Sequence, residues 1–183
     1  MTDHHHMLQL ISEGNELSFR RLYDYYSEMV YNTAMGFVAD VKYAEEITQD
    51  VFTKAYKNAG SFKGNSSVKT WLYRITVNTS LNQINKNKSH RYTELENIEK
   101  VEFNHPGILL ENKENAKTLQ LAINSLAETQ KTAFVLSFIE GLPRQEVADI
   151  MEVSLKAVES LLQRAKGNLR MKLQKMYPHR RKK

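Results

Sequence analysis

Residues 43–87, YAEEITQDVFTKAYKNAGSFKGNSSVKTWLYRITVNTSLNQINKN, decide the fold of this chain. Ile47, Val51, Phe52, Ala55 and Tyr56 recur at helical spacing, so one side of a first helix faces a core. Glu45, Glu46 and Asp50 fall in its first turns, where carboxylates complement the positive end of the helix dipole. The period breaks at Gly60 to Ser67, GSFKGNSS, a loop by its glycines and serines. A second helix starts near Val68. At about 100° per residue, its Val68, Trp71, Leu72, Ile75 and Thr79 form one stripe, while Tyr73, Val77, Leu81 and Ile84 form another. Two such stripes wedge a helix between neighbours. Between them runs a polar ridge of Arg74, Asn78, Asn82 and Asn85. Amides both donate and accept, so the ridge can read base edges or simply hold water.

Charge favours the first use. Residues 1–50 hold 3 Lys/Arg against 9 Asp/Glu, whereas residues 51–93 hold 8 against none. The pattern then repeats, with 6 against 12 over residues 94–159 and 9 against none over 160–183. Two basic blocks, each preceded by an acidic one, describe two modules that each offer a surface to a polyanion. The 183 residues contain 3 Pro, 7 Gly and no Cys, which favours helices and excludes disulfides and thiolate metal sites. Apolar runs are too short to span a membrane and no signal pattern is read, so a cytoplasmic protein is expected.

Outward from the central stretch, residues 1–7 are expected to be ragged, with His4, His5 and His6 exposed and not a metal site. Leu8 and Ile11 belong to a short helix. Phe19, Leu22, Tyr23, Tyr26, Val30, Tyr31, Ala34 and Phe37 belong to a long one, and Glu13-Gly14-Asn15 separates the two. Residues 92–115 lose periodicity and turn acidic around Pro106-Gly107, as a linker does. Helical spacing returns with Leu119, Ala122, Ile123 and Leu126, then continues through Ala133 to Phe138. Gly141 ends that helix and Pro143 opens a short one over 144–151, burying Val147, Ala148 and Met151. Glu152-Val153 makes a tight turn, and Ser154 caps a longer helix carrying Ala157, Val158, Leu161, Leu162, Ala165 and Leu169. Short helix, turn and longer helix with a basic second half is the pattern of a helix-turn-helix. The fold class expected is therefore all-α, with two small helical domains joined by a flexible acidic linker.

These motifs resemble the extracytoplasmic-function class of bacterial RNA polymerase sigma factors. The match runs from about Glu13 to Leu173. SFKGNSSVKTWLYRITVNTSLN, residues 61–82, follows the family pattern most closely; SEGNELSFRRLYDYY, residues 12–26, resembles its start. The resemblance implies a domain over 8–90 for polymerase docking and minus-ten recognition, a linker over 91–115, and a helix-turn-helix domain over 116–177. It implies that AEEITQDVF, residues 44–52, docks on the β′ clamp helices of core RNA polymerase through Glu46, Gln49, Asp50 and Phe52. It implies that the loop captures a base flipped from the non-template strand of the minus-ten element. Phe62 lines that pocket, Asn65, Ser66 and Ser67 read the base, and Lys63, Arg74 and Lys86 add cations. Asn78 and Asn82 contact the upstream end of the element. Trp71 is the anchor of the loop. The linker resembles a connector that enters polymerase. Residues 142–169 resemble the helix-turn-helix that meets the minus-thirty-five element and the β flap, which implies contacts from Ser154, Lys156, Glu159, Ser160, Gln163 and Arg164.

Three positions depart from the family pattern: Glu152 stands where Gly is usual, and Glu159 and Leu161 stand where cations are common. A weak minus-thirty-five contact is expected in consequence, with the basic tail to Lys183 adding nonspecific attraction. By resemblance the partners are core polymerase, promoter DNA and an anti-sigma factor, through which alone a membrane would be met. No cofactor and no small-molecule substrate are expected. An alternative is a sigma-like mimic that sequesters a regulator without binding DNA, but a decoy has no need of a base pocket or a basic block. An enzyme is not expected, because no phosphate-binding loop, metal-spaced carboxylate set or nucleophile–base pair is written in the chain.

Overall fold

A computed structural model describes residues 4–91 and 113–176, and within them the regular structure is helical. The chain divides into two compact units, 1–97 and 98–183. The first contains α1 (His4–Ser12), α2 (Glu16–Val38), α3 (Val41–Asn58), a 3₁₀ turn (Ala59–Ser61) and α4 (Val68–Arg91). The second contains α5 (Lys113–Asn124), α6 (Glu128–Phe134), α7 (Arg144–Met151) and α8 (Leu155–Met176).

Each boundary in the first unit has a local cause. Gly14 takes φ +88°, and the Asn15 carboxamide oxygen accepts the Ser18 N–H at 2.8 Å to cap α2. Asp40, in an extended conformation, accepts the Tyr43 N–H at 2.9 Å and caps α3. That start is earlier than expected. Asp40 rather than Glu45 or Glu46 sits at the positive end of α3, and the first turn contains no acidic side chain. Ser67 Oγ accepts the Thr70 N–H at 3.0 Å where α4 begins.

The core of this unit gathers Leu8 and Ile11 from α1, Leu22, Tyr26, Val30 and Ala34 from α2, Ile47, Val51 and Ala55 from α3, and Val68 and Leu72 from α4. Fully burying one such leucine or valine is worth about 1.5–3 kcal/mol. Helix α4 packs against both α2 and α3, as its two stripes require. Trp71 and Ile75 lie against this core, while Tyr73 and Val77 are buried on the other stripe. A Lys54 Nζ to Thr79 Oγ1 hydrogen bond of 2.9 Å ties α3 to α4.

Residues 4–7 are not ragged. They open α1, whose Leu8 and Ile11 are 1% and 2% exposed, and the His4 ring stacks edge-on against Tyr25 and Tyr26 and hydrogen-bonds the Tyr26 hydroxyl. His4, Leu8 and Ile11 share one face of the helix, so the histidine continues an apolar stripe.

In the second unit, Ala122, Ile123 and Leu126 meet Ala165 and Leu169 of α8, with Leu119, Phe134, Ile139 and Leu173 around them. Asn168 Nδ2 donates to Gln130 Oε1 at 2.8 Å and fixes α8 to α6. After α6 the helix widens into a π turn (Val135–Ile139), in which the Glu140 N–H donates to the Val135 carbonyl at 3.0 Å. Gly141 at φ +68° ends it. Pro143 then stands just outside α7 as its cap residue rather than as its first helical residue. Helix α7 buries Val147, Ala148 and Ile150, while Met151 is only half-buried. Of the expected linker, 92–112 lie outside the described residues, Arg91 ends α4 and residues 113–115 open α5. The tail from residue 177 onward also lies outside them.

Candidate nucleic-acid interface

The loop between the 3₁₀ turn and α4 is held by its aromatic residues. The Phe62 ring is half-buried, 5.3 Å from the Trp71 ring and 5.3 Å from that of His5, tilted by 54° to each. The Phe62 N–H donates to the Ala59 carbonyl at 3.3 Å, and Ser61 Oγ to the Asn58 carbonyl at 2.8 Å, closing the entry. Gly64 takes φ +72°, a conformation that disfavours a side chain. Lys63, Asn65 and Ser67 are exposed and Ser66 is half-buried. Ser67 Oγ is occupied as the α4 cap and also shares a 2.9 Å hydrogen bond with Thr70 Oγ1. Its hydroxyl therefore shapes the loop.

Along α4, Asn78, Asn82, Asn85 and Lys86 are exposed and Arg74 is half-buried. Residues three and four apart lie on one helix face, so Arg74, Asn78 and Asn82 form a continuous strip. It starts beside the loop and climbs away from it. No Asp or Glu lies between residues 51 and 93, so no carboxylate of this segment opposes an approaching phosphate.

On α3, Glu46, Gln49 and Asp50 are exposed on one face. Phe52 does not join them: it is 3% exposed, its ring lies 4.6 Å from that of Tyr23 and 6.5 Å from that of Phe19, and it belongs to the core. Phe52 stands at the edge of the Glu46/Gln49/Asp50 face, about 60° round the helix from Gln49, and its ring turns inward onto Tyr23 and Phe19.

In the second unit, α7, a turn and α8 form the helix-turn-helix. Glu152 takes φ +57°, so the turn forms in the left-handed region without glycine. The Glu152 N–H donates to the Ala148 carbonyl, as does the Val153 N–H at 3.1 Å. Ser154 Oγ accepts the Ala157 N–H at 3.2 Å, so this residue caps α8. Lys156, Glu159 and Gln163 are exposed and Ser160 is half-buried on one face of α8. Arg164 donates to Ser160 Oγ at 2.8 Å, and Arg144 of α7 reaches Glu159 at 3.5 Å. Leu161 is half-buried, so its position favours packing over a phosphate contact.

The sequence reading missed His5, whose ring completes the aromatic row with Phe62 and Trp71. The signal was the His4–Leu8–Ile11 spacing, which places residues 4–11 on a helix.

Comparison with known proteins bears on both units. Residues 22–90 match the family model for Sigma-70 region 2, and residues 116–169 match that for Sigma-70, region 4. The ECF RNA polymerase sigma-E factor of Escherichia coli (strain K12) is 30% identical over 181 residues, covering 92% of this chain and 93% of the relative. The ECF RNA polymerase sigma factor SigW of Bacillus subtilis (strain 168) is 28% identical over 176 residues, covering 91% and 94%. Among solved structures, CnrH in complex with the cytosolic domain of CnrY superposes with a TM-score of 0.65 at 19% identity, over 92% of this chain and 96% of that one. The sigma factor RpoE in complex with the anti-sigma factor NepR from Bartonella quintana gives 0.64 at 22% identity, over 85% and 96%. At these identities the structural likeness is one of fold.

Proposed function

The chain belongs to the extracytoplasmic-function class of RNA polymerase sigma factors, and from that membership we propose how its surfaces divide the work of initiation. A sigma factor binds core RNA polymerase and promoter DNA, and the phosphodiester chemistry remains the polymerase's own. The chain is thus read as a specificity subunit and not as a catalyst. Its place of action is the cytoplasm, where polymerase works. Among the described residues, no helix is long and apolar enough to cross a membrane.

Docking falls to the exposed acidic face of α3, where Glu46, Gln49 and Asp50 meet the β′ clamp helices. Promoter opening falls to the loop and the α4 strip. Lys63, Arg74 and Lys86 draw in phosphates, and Asn78 and Asn82 offer amides to the upstream bases of the minus-ten element. When strands part, one base leaves the stack at a cost of about a few kcal/mol. The loop offsets that cost with the edge of the Phe62 ring and the polar groups of Asn65 and Ser66, while Ser67 and Trp71 hold the loop in shape. The second unit sets α8 toward the major groove of the minus-thirty-five element through Lys156, Glu159, Ser160, Gln163 and Arg164, with Ser154 capping the helix. It also meets the β flap. One structural neighbour is a sigma factor in complex with an anti-sigma factor, and an anti-sigma factor is accordingly proposed here. Any membrane contact would come through it.

The observation that carries this reading is an exposed amide strip leading into an aromatic-floored loop, within a segment that has no carboxylate. Phe62→Ala and Asn78→Ala are expected to impair strand opening more than initial closed-complex binding. Permanganate footprinting with core polymerase on linear promoter DNA measures this. Parent-like melting by both variants would leave the loop and strip with a structural role only.

A further inference from the structure

Helix α1 lies along the base-capture loop. It meets the 3₁₀ turn at Gly60 and the loop at Gly64. A Cβ placed on Gly60 would sit 3.3 Å from Ser12 Cβ, and one placed on Gly64 would sit 2.9 Å from His5 Nε2 and 3.4 Å from His5 Cδ2. Real Cβ atoms do not approach other atoms as closely as 2.9 Å, so the exposed His5 ring occupies the space beside Gly64 that a side chain there would take. The same imidazole lies 5.3 Å from the Phe62 ring, which itself lies 5.3 Å from Trp71. His5, Phe62 and Trp71 are thus three rings in a row, one from α1, one from the loop and one from α4. Helix α1 is a firm support for the first ring, because Leu8 and Ile11 are buried and His4 packs edge-on against Tyr25 and Tyr26.

We propose that His5 is a positioning residue for promoter opening, bracing Phe62 and Gly64 so that the loop is already shaped for an extruded base. The proposal rests on the loop's role in base capture. A preformed loop spends none of the binding free energy on ordering itself. Without the His5 ring, Phe62 keeps only its Trp71 side, and the chain at Gly64, with φ +72°, loses the group that covers it. Aromatic pairs contribute enough that losing one is expected to lower the open-complex equilibrium by about three- to tenfold. Core binding and closed-complex formation, which precede base extrusion, should not change.

The test uses the full chain with core polymerase and compares His5→Ala, His5→Phe and Phe62→Ala. Permanganate reactivity of minus-ten thymines reports opening, and retention on linear duplex at low temperature reports the closed complex. Trp71 is the single tryptophan, so its emission reports the ring row in the free protein. His5→Ala should reduce opening, leave closed complex unchanged and shift the Trp71 emission, and His5→Phe should restore opening and emission toward parent. A defective Phe62→Ala beside a parent-like His5→Ala overturns the brace while keeping base capture by the loop. Parent-like opening by both variants overturns base capture itself, and the brace with it. A His5→Ala defect that His5→Phe does not rescue, or one accompanied by an equal loss of closed complex, also overturns the brace.

Discussion

Glu159→Lys probes the helix-turn-helix at one of the three positions where the sequence differs from the family pattern. In the structure Glu159 is exposed on α8 and lies 3.5 Å from Arg144 of α7, with the two side chains 52% and 54% exposed. A pair so exposed contributes about 0–1 kcal/mol, so its loss should hardly affect folding. Its effect on DNA binding is larger. Lys156 is one turn away on the same face, and the substitution exchanges an anion for a cation between the bases and the backbone. One added phosphate contact steepens the dependence of log affinity on log salt by about 0.9. Over a rise from about 50 to about 200 mM salt, that is a further loss of about 3.5-fold. If Arg144, released from Glu159, also reaches a phosphate, the slope changes by about 1.8. Anisotropy of a labelled minus-thirty-five duplex, titrated with the chain and core polymerase at several salt concentrations, gives the slope. Glu159→Lys should raise low-salt affinity across many sequences and erase any preference for cytosine, whose N4 amino group a carboxylate accepts. Glu159→Gln should lose the cytosine preference with a smaller change in slope. Unchanged affinity, slope and preference in Glu159→Lys would mean that this face of α8 points away from DNA.

Asp50→Arg should weaken capture of core polymerase while leaving the melting temperature within a few degrees of parent, since exposed charge swaps seldom cost much stability. Phe52→Ala, by contrast, should cost about 3–5 kcal/mol of stability, because it empties a core position; pull-down and thermal melts separate the two. Ser80 is fully buried, and among the described residues its hydroxyl finds no hydrogen-bond partner. Ser80→Ala should therefore raise stability by about 1 kcal/mol in a denaturant melt, adding helix propensity to relief of the unsatisfied hydroxyl. Burial, and then the neighbouring Tyr25, push the Tyr26 hydroxyl up to about 12. Tyr26 ionises more readily unfolded than folded, so its contribution to stability is intact below pH 10 and is lost as pH rises toward 12. Tyr26→Phe should flatten that alkaline loss, as followed by circular dichroism.

Much of the architecture was legible because local signals agreed with one another. Residues 144–151, the turn at Glu152 and the cap at Ser154 could be placed because Gly141, Pro143 and Ser154 punctuate a clear helical period. The two stripes of α4 predicted its wedged position because the pattern involves seven or more apolar side chains on one helix. The short helix carrying Leu8 and Ile11 was legible, but its first turn at residues 4–7 was hidden because three adjacent histidines look like a polar end, and only the spacing from His4 to Leu8 and Ile11 betrays it. Phe52 was misplaced because a docking segment was taken whole, whereas Phe52 borders the exposed face and its ring packs inward on Tyr23 and Phe19, contacts between helices that no local period encodes. Proximity of His5 to Gly64 is a long-range contact that no local period encodes. The loop's polar groups were legible as loop residues, but the diversion of Ser67 Oγ into capping α4 required the structure.

Transcription reconstituted with core polymerase, this chain and a library of randomised linear promoters tests the central claim most directly, with sequencing of the transcript starts as the readout. A sigma factor built as described should produce starts that core polymerase alone does not. Those starts should share a minus-ten element, and they should be lost when Phe62→Ala and Asn78→Ala are combined. A chain that leaves the starts of core polymerase unchanged, or fails to bind it, would contradict the assignment.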